Sequence, residues 1–95
     1  MPKNNEISEE KLDKYFSITK KALTIAKESI NAKRRKEALT LLSMAQHYFD
    51  DASWFREKGD IVNAFASLNY AHGWIDSGSK LGLFLVKDNK LFVLK

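Results

Sequence analysis

Two residue pairs in this 95-residue chain have the types and spacing of a metal or acid–base site: His47 with Asp51, and His72 with Asp76. An imidazole and a carboxylate one helical turn apart share a face, and zinc takes donors of this kind. In a helical hairpin reversing at Gly59-Asp60, the two histidines would fall level. Their directions do not agree. At about 100° per residue, His47 points nearly opposite the Ala45, Phe49 and Ala52 face, whereas His72 lies near the centre of its own apolar stripe. Asp51 and Asp76 fall about a turn either side of the histidine level, roughly 12 Å apart along the axis. No shared metal site is expected, and His72 reads as a core histidine bonded to a neighbour. No Gly-rich phosphate loop, nucleophile elbow or zinc-protease motif occurs, so no cofactor is expected either.

A small-ligand enzyme would have to gather Asp51, Tyr70, His72 and Asp76 around one apolar pocket. The plainer reading of Asp76, with Asn69 on the same flank, is a polar seam that bonds the first helix or the 31–36 connection, through Arg34 or Arg35. The cluster Lys33-Arg34-Arg35-Lys36 has the chemistry to meet phosphates, although such a run is more often a solvated link between helices. Residues 1–47 hold ten Lys and Arg against six Asp and Glu, whereas residues 48–95 hold six against six. The whole excess of +4 therefore lies in the first half. The aromatic residues say more. Trp54 and Tyr70 project away from the expected core, and Trp74 lies on a flank. Exposed tryptophan ordinarily has a cover. The candidate interface is Trp54, Tyr70 and Trp74 with the apolar tail residues Leu83, Phe84, Leu85, Leu91, Phe92 and Val93.

The elements that carry these residues follow from periodicity. Residues 1–7 are polar, without a repeat, and read as a flexible N-terminus. Ser8 before Glu9-Glu10 reads as a helix cap, and Leu12, Phe16, Thr19, Leu23, Ala26 and Ile30 then mark one helical face. Asn31 is the best stop, although a continuous helix through 31–36 stays open. Ala38, Leu41, Leu42, Ala45, Tyr48, Phe49, Ala52 and Phe55 mark a second face, and Ile61, Ala64, Phe65, Leu68, Ala71, His72 and Ile75 a third. Between them, Gly59 ends one helix and Asp60 caps the next, which makes neighbours of them. After Gly82 the pattern changes to Leu83–Val86 and Leu91–Leu94 around Asp88-Asn89-Lys90, a hairpin signature; two strands alone are marginal, so this tail must lean on its own bundle or on another molecule.

The stretch 48–84 resembles a family of small, mainly archaeal proteins known as domain of unknown function 357. The resemblance rests on Tyr48, Asp51-Ala52, Phe55, Gly59-Asp60, Ala64-Phe65, Tyr70-Ala71, Gly73, Asp76, Gly78 and Leu81-Gly82-Leu83-Phe84. Ser77 stands where members often carry alanine, which keeps a small residue there. The resemblance implies a compact helical bundle and no particular activity.

The expected fold is all-α: a three-helix antiparallel bundle over 8–82, with helices near 8–31, 35–58 and 60–81. A short C-terminal β-hairpin or extended tail follows over 83–95. Expected core residues are Phe16, Leu23, Leu41, Ala45, Phe49, Ala52, Phe65, Leu68 and Ile75. With 44% hydrophobic and 29% charged residues, no cysteine and no long apolar run, an intracellular, cytoplasmic protein without a membrane span is expected. The leading expectation is a non-enzymatic protein-interaction module, either a homodimer formed through the C-terminal segment or a binder of another protein. Nucleic-acid binding through Lys33, Arg34, Arg35 and Lys36 is the alternative.

Overall fold

The computed structural model describes residues 7–86. Three α-helices make up the fold: α1 (Glu9–Glu28), α2 (Arg35–Glu57) and α3 (Ile61–Lys80), with a 3₁₀ turn at Ala32–Arg34. The all-α expectation holds. Each helix starts and stops on local chemistry. Ser8 caps α1 by accepting from the Lys11 amide at 3.1 Å. The Asp60 carboxylate caps α3, accepting from the Asn63 amide at 3.2 Å and its side-chain nitrogen at 2.7 Å. Gly59, at φ 78°, lets the Asp60 amide reach back to the Phe55 carbonyl at 2.9 Å and close the end of α2. The chain turns back there, so that Tyr48 of α2 meets Tyr70 of α3.

α2 and α3 share the most extensive contact, and α1 packs on both. The interior forms two clusters. One gathers Leu23, Ala26, Leu42, Ala45, Ile75, Leu83 and Phe84; the other is Tyr15, Ala52 and Leu68. Of the expected core, Leu23, Ala45, Ala52, Leu68 and Ile75 are buried. Phe16, Leu41, Phe49 and Phe65 are half-buried and pack against the clusters from outside.

The link between α1 and α2 departs from the expected boundary. α1 ends at Glu28 rather than near residue 31, and no continuous helix runs through the link: residues 29–31 are not helical, and the 3₁₀ turn leads directly into α2. Ile30 forms an isolated antiparallel bridge with Phe84 instead. The Asn31 amide donates to the Leu83 carbonyl at 2.9 Å, and the Leu85 amide to the Ser29 carbonyl at 2.7 Å. The Asn31 side chain joins both segments. Its oxygen accepts from the Lys33 amide at 3.1 Å, while its nitrogen donates to the Gly82 carbonyl at 2.9 Å. Asn31→Ala removes a cap and a partly buried hydrogen bond together. It should cost about 1–2 kcal/mol, read as a lower midpoint in urea; an unmoved midpoint would assign the joint to the backbone alone.

Among the described residues the expected C-terminal hairpin finds no support. Its first segment, 83–86, crosses the end of the bundle and seals it, with Leu83 and Phe84 buried. Its second segment, Leu91–Leu94, lies outside the described residues, as does most of the expected flexible segment 1–7.

Candidate functional site

α3 carries few charges. Its sequence IVNAFASLNYAHGWIDSGSK has Asp76 and Lys80 as its charged residues, and these pair with each other at 3.1 Å. The buried stripe is Ala64, Leu68, Ala71, His72, Ile75 and Gly78. The opposite face shows Val62, Ala66, Asn69, Tyr70, Gly73 and Ser77 to solvent, with no ionised group among them. Beside this face α2 contributes Tyr48, whose ring stacks on Tyr70 with centroids 5.3 Å apart and planes 24° from parallel. Trp74, half-buried, closes the far side. The result is an open groove of about 590 Å³ lined by Tyr48, Ala66, Asn69, Tyr70, Gly73, Trp74 and Ser77. Gly73 is its shallow point, since a Cβ there would meet nothing within 4 Å.

This arrangement can bury apolar and aromatic surface and offer an amide and hydroxyls as hydrogen-bond partners. It holds no carboxylate or imidazole for acid–base work. The four residues on which an enzyme would depend are not brought together. Tyr70 lines the groove, but His72 is inside the protein at 5% exposure. Asp51 faces His47 at 3.4 Å on α2, and Asp76 faces Lys80. His47 is exposed, so the two histidines face different surroundings, as their helical directions require. Asp76 therefore does not take the expected arginine partner. Among the described residues, no three His, Cys, Asp or Glu side chains approach closely enough to hold a metal.

The other expected residues sort as follows. Trp54 is 55% exposed but stands apart from the groove, edge-on to Phe55 at 5.3 Å with the Lys58 ammonium 5.6 Å from its ring centre. Leu85 is exposed. Leu83 and Phe84 are interior, at 2% and 1%, which corrects the expectation that they present a docking edge. Leu91, Phe92 and Val93 lie outside the described residues. In the basic cluster, Lys33, Arg35 and Lys36 are exposed, while Arg34 is half-buried and committed elsewhere. Its guanidinium donates to the Leu81 carbonyl at 2.7 Å and pairs with Glu37 at 2.9 Å, where it helps to close the end of α3. The hydrogen bond between Arg34 and Glu37, and then the charge of Arg34, hold the Glu37 carboxyl below its ordinary range; the same bond pushes Arg34 upward.

Tyr48, Ala66, Gly73 and Ser77 escaped the sequence reading as site residues. Tyr48 keeps the period of the α2 core, and Gly73 reads as a packing glycine. The signal that marks them is the missing charge on the outward side of α3.

A family model described as "Protein of unknown function (DUF357)" matches residues 14–84, and the chain belongs to that family. No curated protein and no solved structure matches the chain. Among the described residues, no helix is long and apolar enough to cross a membrane.

Proposed function

We propose that this small helical member of the family is a non-enzymatic protein-interaction module, docking its partner on the outer face of α2 and α3. The reading takes the three helices as an antiparallel bundle in which α1 covers one side of the α2–α3 pair and leaves the other open. One observation carries it: the solvent side of α3 is uncharged from Val62 to Ser77 and bordered by Tyr48, Tyr70 and Trp74. Surface helices ordinarily carry charge on their solvent side. Apolar patches rimmed by polar groups mark protein interfaces, in which aromatic residues are enriched.

The test is capture from native cell extract with the intact chain and with Gly73→Lys as baits. The substitution has room for its side chain and places a charge at the centre of the face. A protein recovered in near-equal amount with the natural chain and lost with the variant is the expected result. Equal recovery by both baits would remove the reading.

Nucleic-acid binding is the second reading, supported by eight Lys and Arg against one acid across residues 14–36. Retention of mixed RNA and DNA that falls steeply with salt would favour it.

A further inference from the structure

The outer face of α3 has an order of side-chain sizes that fits its own reverse. From the N-terminal end it presents Val62, Ala66 and Tyr70 on one row with four-residue steps, then Gly73, Ser77 and Leu81 on the next. Reflect the helix about the midpoint between Ala71 and His72, and each residue of the first row lands on one of the second. Val62 meets Leu81, Ala66 meets Ser77, and Tyr70 meets Gly73. The two ends pair two exposed aliphatic side chains, Val62 at 76% and Leu81, the residue that caps the helix, at 59%. The middle pairs the most exposed ring of the face, Tyr70 at 63%, with the position where a Cβ would find open space. Asn69 and Trp74 exchange places under the same operation.

We infer that the partner of this face is a second copy of the chain, with α3 packed against α3 about a twofold axis that passes between Tyr70 and Gly73. This rests on the interaction reading above and names its occupant. An isologous interface requires a surface complementary to itself under reversal, which the two rows provide. Rows with four-residue steps are those that interdigitate in the commonest class of helix packing, crossing at about −50°. Each Tyr70 ring then fills the shallow point over the other copy's Gly73.

Charge points the same way. Identical surfaces repel wherever they carry an unpaired charge, and this one carries none; Asp76 and Lys80 at its margin neutralise each other. The cations that give the chain its net +4 gather instead in residues 14–36, on α1 and the start of α2. A strip along α3, about 30 Å long at 1.5 Å per residue and flanked by Tyr48 and Trp74, offers on the order of 500–600 Å² per copy. Specific interfaces begin near that size, at about 1,200 Å² in total, so a dimer of micromolar rather than nanomolar affinity is expected.

The chain has no cysteine, so single thiols report the arrangement without competition. With the axis midway between Ala71 and His72 and helix axes about 8 Å apart, the two copies of residue 73 come within roughly 6 Å, inside disulfide reach. The experiment uses the purified full chain, with light scattering at about 200 µM and oxidation of single-cysteine variants by diamide. A dimer mass is expected for the natural chain. For Gly73→Lys, with an unchanged helical spectrum, the affinity should be at least tenfold weaker. Gly73→Cys should cross-link, whereas Lys21→Cys on the outside of α1 should stay monomeric. A monomer at that concentration overturns the inference. So does a dimer indifferent to Gly73→Lys, or equal cross-linking by both cysteines. Should the purified chain be monomeric while the extract still yields a different protein that Gly73→Lys releases, the second copy is excluded and the interaction module survives.

Discussion

Phe84→Ala should destabilise the protein by about 3–5 kcal/mol, the range for removing a fully buried aromatic ring. Against the roughly 5–15 kcal/mol that holds a native domain together, this is a large share. Phe84 is 1% exposed and heads the largest fully buried side chains. Its ring sits in the cluster of Ala22, Leu23, Ala26, Leu42 and Ile75, drawing on all three helices. Its backbone also bridges Ile30. The void left by alanine therefore opens where three elements meet. Denaturant unfolding measures the loss directly. A change under 1 kcal/mol would mean that the ring is not the plug described here. Phe49 and Phe65, which the apolar pattern places in the core, are half-buried and should cost less.

Gly78→Val should be the other severe substitution, and for the opposite reason. A Cβ built on Gly78 would lie 2.3 Å from Cε2 of Phe84 and 2.7 Å from Cδ2, far inside contact distance. Neither group can give easily: one is helix backbone, the other a ring held on every side. Overpacking ordinarily costs about 1–3 kcal/mol and sometimes more. Here the branched side chain adds to a collision already set by its first carbon, so the upper end applies. Gly78→Ala meets the same collision but recovers up to about 1 kcal/mol of helix propensity, and should be milder. The pair gives a sharper test than either alone. With Phe84→Ala in place the collision disappears, so the double variant should be more stable than the sum of the singles predicts, by about 0.5–3 kcal/mol. Strict additivity would separate the two residues and contradict the packing.

How much of this the amino-acid order discloses depends on the range of the interaction. The Gly59-Asp60 reversal and the limits of α2 and α3 are readable to within a residue or so, because caps and stops are made by neighbours in sequence. The end of α1 is not. Whether Ile30 continues a helix or extends is settled by Phe84, at the other end of the domain, and by Asn31 bonding to Gly82 and Leu83. Leu83–Val86 misleads for a related reason. A short apolar run looks alike whether it pairs as a strand or stops the mouth of a bundle. In the groove, helical angles disclose that Tyr70 points outward and that the histidines diverge. They do not disclose which flank of α2 its neighbours leave uncovered, so Tyr48 passes for a core residue. Arg34 passes for a free phosphate ligand until the Leu81 carbonyl is seen to claim it.

The joint between residues 29–34 and 81–85 also governs the order in which this chain can assemble. α2 and α3 meet through contacts close in sequence and need only the reversal at Gly59. The joint closes a loop that spans both helices, and loop entropy of that size is repaid only after the hairpin exists. α1 and the sealing segment therefore dock late, and together, because each supplies the other's backbone partners. The same seam is where the folded protein opens first. Amide exchange at Asn31 and Leu85 should outpace exchange in the centre of α3, reporting a release of α1 in which the hairpin itself stays shut.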